Sequence, residues 1–356
     1  MINRSFWAEQ RVFLTGHTGF KGSWASFWLS RLGARQHGMA LAPETTPSLF
    51  DLLGEIDGRQ VSRIADIRDL AAVRDAVRDC DPTVAIHMAA QPLVRRSYRE
   101  PVETYATNVM GTVNVLEALR YAPNLKAVLV VTTDKVYRND DSGHAFREDD
   151  PLGGHDPYSS SKAACEEVVS CYRDSYYKSA GIQLATARAG NVVGGGDWSE
   201  DRLVPDIWRA MLDGSAIVLR NPASTRPWQH VLDPVSGYFR YIEVLAGENG
   251  ARAPLALNFA PAPDTPLTVQ SVAESLGDAL GLPESWRLAD GPQPTEMKLL
   301  TLDASLAERT LGWRPRLTGR QAIDWAADWY LDIHRGGDAR SRTSMQIADY
   351  EALPDL

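Results

Sequence analysis

The chain has 356 residues, of which 44% are hydrophobic and 23% charged, a balance typical of a globular protein and not of a disordered one. Its net charge is −9 without a basic cluster, which argues against nucleic acid as a partner. Three scattered cysteines argue against a disulfide framework or a metal site, and no stretch approaches the about 18 apolar residues of a membrane span. We therefore expect no metal and no membrane partner, and a location in the reducing cytoplasm.

The first half of the chain alternates apolar runs with segments of helical periodicity. The predicted strands lie at 11–15, 36–41, 61–65, 83–88, 126–132 and 182–188. The predicted helices lie at 21–33, 69–79, 101–121 and 158–180 and, further on, at 268–281 and 319–334. Nearly continuous apolar strands are typical of a parallel sheet that helices cover on both faces. The pattern predicts an α/β fold with a doubly wound parallel sheet, whose ligands bind at the carboxyl ends of the strands.

The alternation ends near residue 190, where glycine, proline and tryptophan become frequent. The predicted units are a dinucleotide-binding Rossmann domain at 1–190 with segments from about 230–260 returning to it, a mostly substrate-binding lobe at 191–335, and a polar tail at 336–356. We expect the tail to be loosely attached, although its stretch SMQIADY could form a docked helical turn.

The first predicted strand runs directly into TGHTGFKGSW, which has glycines at 16, 19 and 22. Glycines at this point allow a tight turn, a close approach of the backbone to a pyrophosphate, and close packing of helix on strand. The helix that begins here offers free N–H groups to a phosphate. The residues of the predicted dinucleotide site are Gly16, Thr18, Gly19, Phe20, Lys21 and Gly22.

The choice between NAD and NADP depends on the end of the second strand. An acidic residue there would hold the ribose of NAD, but MALAPETT offers only Glu44, slightly late, and no arginine follows to hold a 2′-phosphate. Asp66 and Ile67, after the third strand, are the candidates for the adenine end, and Ala89 and Ala90 follow the fourth strand. We predict NAD as the cofactor.

The segment PYSSSKAACEE places Tyr158 and Lys162 four residues apart, on one face of a helix. The charge of Lys162 favours a phenolate, so we expect it to lower the pKa of Tyr158 from the usual value of about 10. Tyr158 could then accept the proton of a sugar hydroxyl while a hydride leaves for a nicotinamide. The pair alone often occurs by chance, but combined with the glycine turn it indicates oxidoreduction chemistry.

The glycine turn, HMAAQP, TNVMGTVNVLEA, VTTDKVY and PYSSSKAACE resemble the extended short-chain dehydrogenase/reductase superfamily. Within it, GHTGFKGSW, DIRD, AAQPLVRRSY, ARAGNVVGGGDW and RNPASTRPWQHVLDP resemble the sugar-nucleotide 4,6-dehydratases, above all those that act on CDP-glucose, over residues 7 to 335. The resemblance implies a lyase that oxidises C4 of the hexose through NAD, eliminates water across C5 and C6, and returns the hydride to C6. The product would serve deoxysugar and cell-surface polysaccharide synthesis.

The resemblance also implies roles for the residues in VTTDKVY. Thr133 would hydrogen-bond the C4 oxygen beside Tyr158, and Asp134 would protonate the departing C6 hydroxyl. Lys135 stands where many 4,6-dehydratases have a glutamate base, and a lysine can act as a base only when it is neutral. Neighbouring residues of a strand point to opposite faces, so Asp134 and Lys135 can reach one sugar only if the strand has already ended.

A nucleotide sugar needs further contacts in the cleft between the two lobes. Asn191 and Arg226 align with the phosphate contacts of the family, and a guanidinium fork suits a pyrophosphate. The other candidates for contact with the substrate are Gln91, Arg96, Trp198, Arg202 and Arg220. Trp198 could equally belong to the core of the second lobe, and Gln91 and Arg96 could equally pack near the cofactor.

Two other functions share this fold, and the fold alone does not separate them. An epimerase, or another dehydratase, acting on UDP-, GDP- or dTDP-hexoses is the first, and an epimerase would not need the couple Asp134 and Lys135. A non-catalytic dinucleotide-sensing protein is the second, and it would not need an intact Tyr158 and Lys162. The resemblance further implies a homodimer, with a tetramer as the alternative, formed through the helices at 101–121 and 158–180.

Overall fold

A parallel sheet of seven strands lies at the centre of the computed structural model, which describes residues 1–56, 58–262, 267–281, 286–291 and 299–354. Its strands are Arg11–Thr15 (β1), Arg35–Ala40 (β2), Gln60–Ile64 (β3), Val84–His87 (β4), Ala127–Val131 (β5), Gln183–Ala189 (β6) and Ala256–Phe259 (β7). They follow the order β7-β6-β5-β4-β1-β2-β3. The order reverses between β1 and β4, where a parallel sheet opens a crevice for ligands. The predicted doubly wound α/β fold is confirmed.

Helices cover both faces of the sheet and build much of the second lobe. They are Arg4–Ala8 (α1), Phe20–Arg31 (α2), Leu49–Leu53 (α3), Leu70–Cys80 (α4), Val94–Arg99 (α5), Pro101–Tyr105 (α6), Gly111–Leu119 (α7), Pro157–Tyr172 (α8), Leu203–Asp213 (α9), Leu232–Leu245 (α10), Val269–Leu280 (α11), Ser305–Leu311 (α12), Gly319–His334 (α13) and Ala339–Ala352 (α14). The π-helical segment Ala106–Met110 joins α6 to α7, and Arg173–Tyr177 extends α8. Of the helices in the described ranges, none is long and apolar enough to cross a membrane.

The central strands β1, β4 and β5 are largely apolar because both of their faces are covered, whereas the edge strand β3 has polar and exposed residues. In β1, Val12 and Leu14 belong to the core cluster that includes residues of α2 and α10, whereas Phe13 belongs to the cluster on the opposite face with residues of α4 and α7. All five residues of β5 are buried. A strand buried on both faces shows a short apolar run instead of an alternation, which locates its ends in the sequence. The bounds of the six predicted strands accordingly agree with the structure to within one residue.

Outside the central sheet lie α9 and three pairs of short strands, while α10 and β7 pack on or join the central sheet. Each short pair is parallel: Val192–Val193 with Gln229–His230, Ile217–Leu219 with Trp286–Leu288, and Ala145–Phe146 with Thr301–Leu302. These strands are only two or three residues long, which is why the periodicity of the sequence did not reveal them.

The polar tail is not loosely attached, which corrects the expectation from its composition. Helix α14 buries Ile347 and Tyr350 in the main core, and its polar Thr343 accepts a hydrogen bond of 3.0 Å from Nε1 of Trp329. Arg340 donates to the carbonyl oxygens of Leu53 and of the residue two positions later. The polar side chains at this helix make buried or backbone hydrogen bonds, so a polar composition did not mean a free segment.

Candidate active site

A cavity of about 810 Å³ lies at the carboxyl ends of the central strands, between the sheet and the second lobe. Its wall contains every predicted site residue except Gln91. The glycine turn and the residues after β2, β3 and β4 form one part of the wall, and the residues after β5 and β6, with α9, form the other. Sequence positions from Gly16 to Val269 are thus brought to one cleft, as the topology of a doubly wound sheet predicts.

The glycine turn packs too tightly for any side chain at two of its positions. Gly16 has a φ of +80°, and a Cβ there would lie 2.7 Å from the backbone nitrogen of Ala89. A Cβ at Gly22 would lie 1.9 Å from the carbonyl oxygen of Gly16, so α2 begins directly on the turn. Gly19 is the N-cap of α2, and no side chain in the described ranges caps it. The first N–H groups of α2 therefore face the cavity without a side-chain acceptor, which fits a dinucleotide phosphate.

The part of the cavity predicted to hold the adenine end contains an acidic side chain that is paired with an arginine. Asp66 lines the cavity and accepts hydrogen bonds from Nε of Arg68, the shorter of them 2.9 Å. These bonds lower the pKa of Asp66. Ile67 beside it is buried and fits against Gly111, where a Cβ would lie 2.4 Å from the Ile67 side chain. The residues that could hold a dinucleotide are present from the pyrophosphate turn to this end of the cavity.

The strand β5 ends before the acid and the base of VTTDKVY, as predicted. A 3₁₀ turn, Asp134–Val136, follows directly, and Thr133 is its N-cap. The Thr133 hydroxyl donates to Oδ1 of Asp134 over 2.9 Å. Asp134 is 1% exposed, and its Oδ2 has no hydrogen-bond partner among the residues that the structure describes. Because the backbone turns here, Asp134 and the half-buried Lys135 both line the cavity.

Helix α8 carries Tyr158 and Lys162 to the same cavity. Asp156 caps the helix by accepting from the backbone N–H of Ser159, and Tyr158 occupies the first turn. Burial raises the pKa of Tyr158 to about 12, although a hydrogen bond with Thr133 opposes the effect. Lys162 donates to the carbonyl oxygen of Val131 over 3.0 Å, and burial lowers its pKa. The expected lowering of the Tyr158 pKa is therefore corrected: burial outweighs the hydrogen bond with Thr133 and the charge of Arg202.

Lys21 introduces another cation close to these groups. Its Nζ lies 3.4 Å from the hydroxyl of Tyr238, and it interacts electrostatically with Lys162, Arg202 and Asp134. Burial and the two cations lower the pKa of Lys21 to about 7. A lysine in the glycine turn thus faces the same space as the residues after β5.

A buried hydrogen-bond network, which was not predicted from the sequence, lies next to the site. Glu166 lies one helical turn after Lys162, and its carboxylate accepts from the hydroxyls of Thr132 and Thr186 over 2.6 and 2.8 Å. Arg188 pairs with it at 2.9 Å, and both side chains are 5% exposed. Arg188 also donates to the hydroxyl of Tyr137. The signal in the sequence was the spacing of four residues from Lys162 to an acid on the same helix face.

The predicted substrate residues of the second lobe line the cavity in ion pairs or backbone contacts. Arg202 pairs with Asp197 at 2.9 Å, and Arg220 pairs with Asp201. Arg226 is 9% exposed and donates to the carbonyl oxygen of the residue before it. Each guanidinium is thereby oriented by the protein, which suits recognition of an anionic ligand.

Asn191 and Trp198 also line the cavity. Asn191 lies two residues after the end of β6, and its carbonyl oxygen accepts a hydrogen bond from the backbone N–H of Gln229. Trp198 contacts the rings of Trp329 and Tyr330. Trp198 is therefore part of the cavity wall and of the aromatic packing beneath it at once.

One of the two predictions after β4 needs correction. Gln91 does not line the cavity, because its amide is used inside the fold: it donates to the Thr104 hydroxyl over 2.8 Å and accepts from the backbone of Leu93. Its role is packing near the cofactor turn, the alternative that the sequence left open. Arg96 lines the cavity but forms ion pairs with Glu44 at 2.8 Å and Glu200 at 3.2 Å, across the cavity mouth.

Comparison with known proteins places these features in a family. The family model described as GDP-mannose 4,6 dehydratase matches residues 13–249. A curated CDP-glucose 4,6-dehydratase from Salmonella typhimurium is 44% identical over 98% of both chains. A dTDP-glucose 4,6-dehydratase from Streptomyces antibioticus is 29% identical over 90% of this chain and 92% of its own.

Solved structures agree with this relationship. A dTDP-glucose 4,6-dehydratase double mutant from Streptomyces venezuelae, with NAD bound, is 26% identical and superposes with a TM-score of 0.77, covering 92% of this chain and 98% of that one. A UDP-glucose 4-epimerase from Thermus thermophilus in complex with NAD has 25% identity and a TM-score of 0.77, covering 90% and 98%. The protein uses NAD, as these relatives do and as the glycine turn predicts. The chain belongs to the GDP-mannose 4,6-dehydratase family of extended short-chain dehydrogenases/reductases.

Proposed function

We propose that this chain is an NAD-dependent CDP-glucose 4,6-dehydratase, which converts CDP-glucose to CDP-4-keto-6-deoxyglucose. One observation carries the proposal: the turn after β5 brings an acid and a base, Asp134 and Lys135, to the cavity that already holds Tyr158 and Lys162. An epimerase needs proton transfer at one carbon only, whereas elimination of water needs a second acid and base. The 44% identity to a CDP-glucose 4,6-dehydratase supports the same reaction and the same nucleotide.

The residues divide the proton transfers between them. NAD, when bound, accepts a hydride from C4 of the hexose and later supplies one to C6. Tyr158 accepts the proton of the C4 hydroxyl as a phenolate, which the positive charge of an oxidised nicotinamide would favour against the raised pKa. Thr133, which is hydrogen-bonded to it, orients the C4 oxygen. Lys135 removes the C5 proton, which the adjacent ketone has made acidic, and returns a proton to C5 when the hydride adds to C6. Asp134 protonates the departing hydroxyl through Oδ2, the oxygen that no described residue binds.

The remaining predicted residues hold the two ligands. Residues of the glycine turn (Gly16, Thr18, Gly19, Phe20, Lys21, Gly22), with Asp66, Ile67, Ala89 and Ala90, bind the dinucleotide. Asn191 and Arg226 bind the pyrophosphate of the substrate, with Arg202, Arg220 and Trp198 around it. Arg188, buried in its pair with Glu166, has no place in substrate binding.

The test offers CDP-, dTDP-, UDP- and GDP-hexoses to the purified protein in parallel and identifies the products by NMR. We expect a 4-keto-6-deoxy product from CDP-glucose, formed without net consumption of NAD. An epimerised sugar would instead favour the epimerase, and binding of NAD without any product would favour the dinucleotide sensor.

We further propose that the protein is a homodimer in the cytoplasm. Large apolar side chains are exposed along α6, the π-helical segments and the helix ends beside them: Val102, Tyr105, Met110, Tyr121 and Tyr176. Exposed apolar side chains on neighbouring helices support an interface between two copies. The three cysteines are free, which suits a reducing compartment. Light scattering after gel filtration distinguishes monomer, dimer and tetramer.

A further inference from the structure

The wall of the cavity beyond the arginines is formed by α9 and by the strand Ile217–Leu219 with the residues after it. If the proposed function holds, the hexose lies at the turn after β5 and the pyrophosphate lies at Arg226. The nucleobase must then lie further into the second lobe, against α9 and this strand. The following inference therefore rests on the proposed function.

Asp206 is the acidic side chain that α9 presents to this part of the cavity. Helix α9 buries Ile207 and Trp208 away from the cavity, whereas Asp206 lines the cavity one turn after Arg202 and one turn before Arg209. The side chain of Asp206 is 35% exposed. Its carboxylate is thus accessible from the cavity while helical spacing fixes its position.

Two arginines flank this carboxylate. Arg209 donates to Oδ1 of Asp206 over 2.5 Å, and Nη2 of Arg220 lies 3.8 Å from Oδ2. Both arginines also line the cavity. The result is a hydrogen-bond acceptor with donors on either side, at the place where the edge of a base would lie.

The other acidic residues of this cavity wall are held in ion pairs with arginines. Asp197 is 5% exposed in its pair with Arg202, and Glu200 pairs with Arg96 at the cavity mouth. Asp201 pairs with Arg220 and also lies near the arginines of α5. Helix α9 has two acids, and of these Asp206 lines the cavity whereas Asp213 at the end of the helix does not.

Cytosine differs from uracil and thymine at the edge that such a group would read. It carries an amino donor at C4 and an acceptor at N3, whereas uracil and thymine carry an acceptor at C4 and a donor at N3. A carboxylate accepts from the cytosine amino group, and it repels the C4 oxygen of the other two pyrimidines. We propose that Asp206, flanked by Arg209 and Arg220, accepts a hydrogen bond from the cytosine amino group and so selects CDP-sugars.

The test measures kcat/KM for CDP-glucose and UDP-glucose with the wild-type protein and with Asp206→Asn. An asparagine amide can donate to the C4 oxygen of uracil, so we expect the ratio of the two kcat/KM values to fall by about tenfold or more. Glu200→Gln is the matched control, because it removes one negative charge from the same cavity wall away from the proposed base site. It should leave the ratio as it is in the wild type.

The outcomes separate the inference from the function on which it rests. If the wild-type protein does not convert CDP-glucose, the proposed function is wrong. If it does, and Asp206→Asn lowers both kcat/KM values equally, Asp206 has only a structural role and the inference is overturned. Should Asp206→Asn fail to fold, as judged by its circular dichroism, Asp206→Ser and the affinities of CDP and UDP measured by calorimetry decide in the same way.

Discussion

Asp134 packs closely against Gly190, which in turn packs against Pro227. A Cβ at Gly190 would lie 3.1 Å from Oδ2 of Asp134 and 2.5 Å from Cγ of Pro227. The first residue after β6 must therefore be a glycine if Asp134 and the segment around Pro227 are to pack as they do. The carboxyl that we assign as the acid is thus buried against Gly190, whereas Lys135 beside it is half-buried, and both line the cavity.

Replacing Lys135 by alanine should separate the steps of the reaction. Without the amine, removal of the C5 proton should slow by about 10²–10⁴-fold, while oxidation at C4 continues because Tyr158 is intact. The measurement is the exchange of the C5 hydrogen with deuterated solvent, alongside the transient absorbance of reduced coenzyme. Lys126→Ala, an exposed lysine just before β5, is the control and should exchange normally. Normal exchange in Lys135→Ala would exclude lysine as the base.

Helix α8 connects the catalytic residues to a buried salt bridge. Tyr158, Lys162 and Glu166 follow one another at intervals of four residues, and the Glu166 carboxylate accepts hydrogen bonds from residues of β5's end and of β6. The network holds Thr132, and with it the start of the turn to Thr133, against α8. The positions of Tyr158 and Asp134 thus depend on one carboxylate that does not itself reach the cavity.

Glu166→Gln should destabilise the protein strongly. The substitution leaves the buried charge of Arg188 uncompensated, which costs about 3–5 kcal/mol of the free energy of unfolding. Urea denaturation measures that free energy. The control is Asp324→Asn in the exposed pair with Arg320, where we expect a loss below about 1 kcal/mol. Equal losses in the two variants would show that the network does not carry the stability assigned to it.

The contact between α10 and α14 should make the stability of the protein depend on pH. Asp233 accepts from the Tyr350 hydroxyl over 2.7 Å, and burial raises the pKa of Asp233 from 3.8 to about 7. Because the pKa is higher in the folded state, this group's contribution to stability is present below about pH 4 and is lost as the pH rises to about 7. Asp233→Asn has no such group.

The measurement compares the free energies of unfolding of the wild type and Asp233→Asn between about pH 4 and pH 7. We expect the wild type to lose stability relative to the variant as the pH rises from 4 to 7. A difference between the two proteins that does not change with pH would contradict a raised pKa for Asp233.

These elements also mark what the sequence could predict. Strands buried on both faces and the glycine turn have local signals, so β1 to β6 and the dinucleotide residues could be located before the structure. The role of Gln91 depends on Thr104 and Leu93, and the docking of α14 depends on Trp329 and on Asp233, so each depends on contacts with other elements of the fold. Such contacts have no local periodicity, and a polar side chain that is satisfied inside the fold looks like an exposed one in the sequence.

At the scale of the whole molecule, two parts of the chain line one cleft. The strand ends and the glycine turn bring the dinucleotide residues to one side, and the segment after β6 brings the substrate arginines to the other. Ion pairs of Arg96 with Glu44 and Glu200 connect the two sides across the mouth. This arrangement suits a reaction in which the coenzyme is regenerated, because coenzyme and sugar must stay together from the oxidation at C4 to the reduction at C6.

The most direct test of this account follows one hydrogen atom through the reaction. CDP-glucose labelled with deuterium at C4 is incubated with the protein in ordinary water, and the product is analysed by NMR and mass spectrometry. We predict that the deuterium appears in the new methyl group at C6 of the same sugar. A methyl group without deuterium, with the label in the solvent or in released reduced coenzyme, would contradict the account.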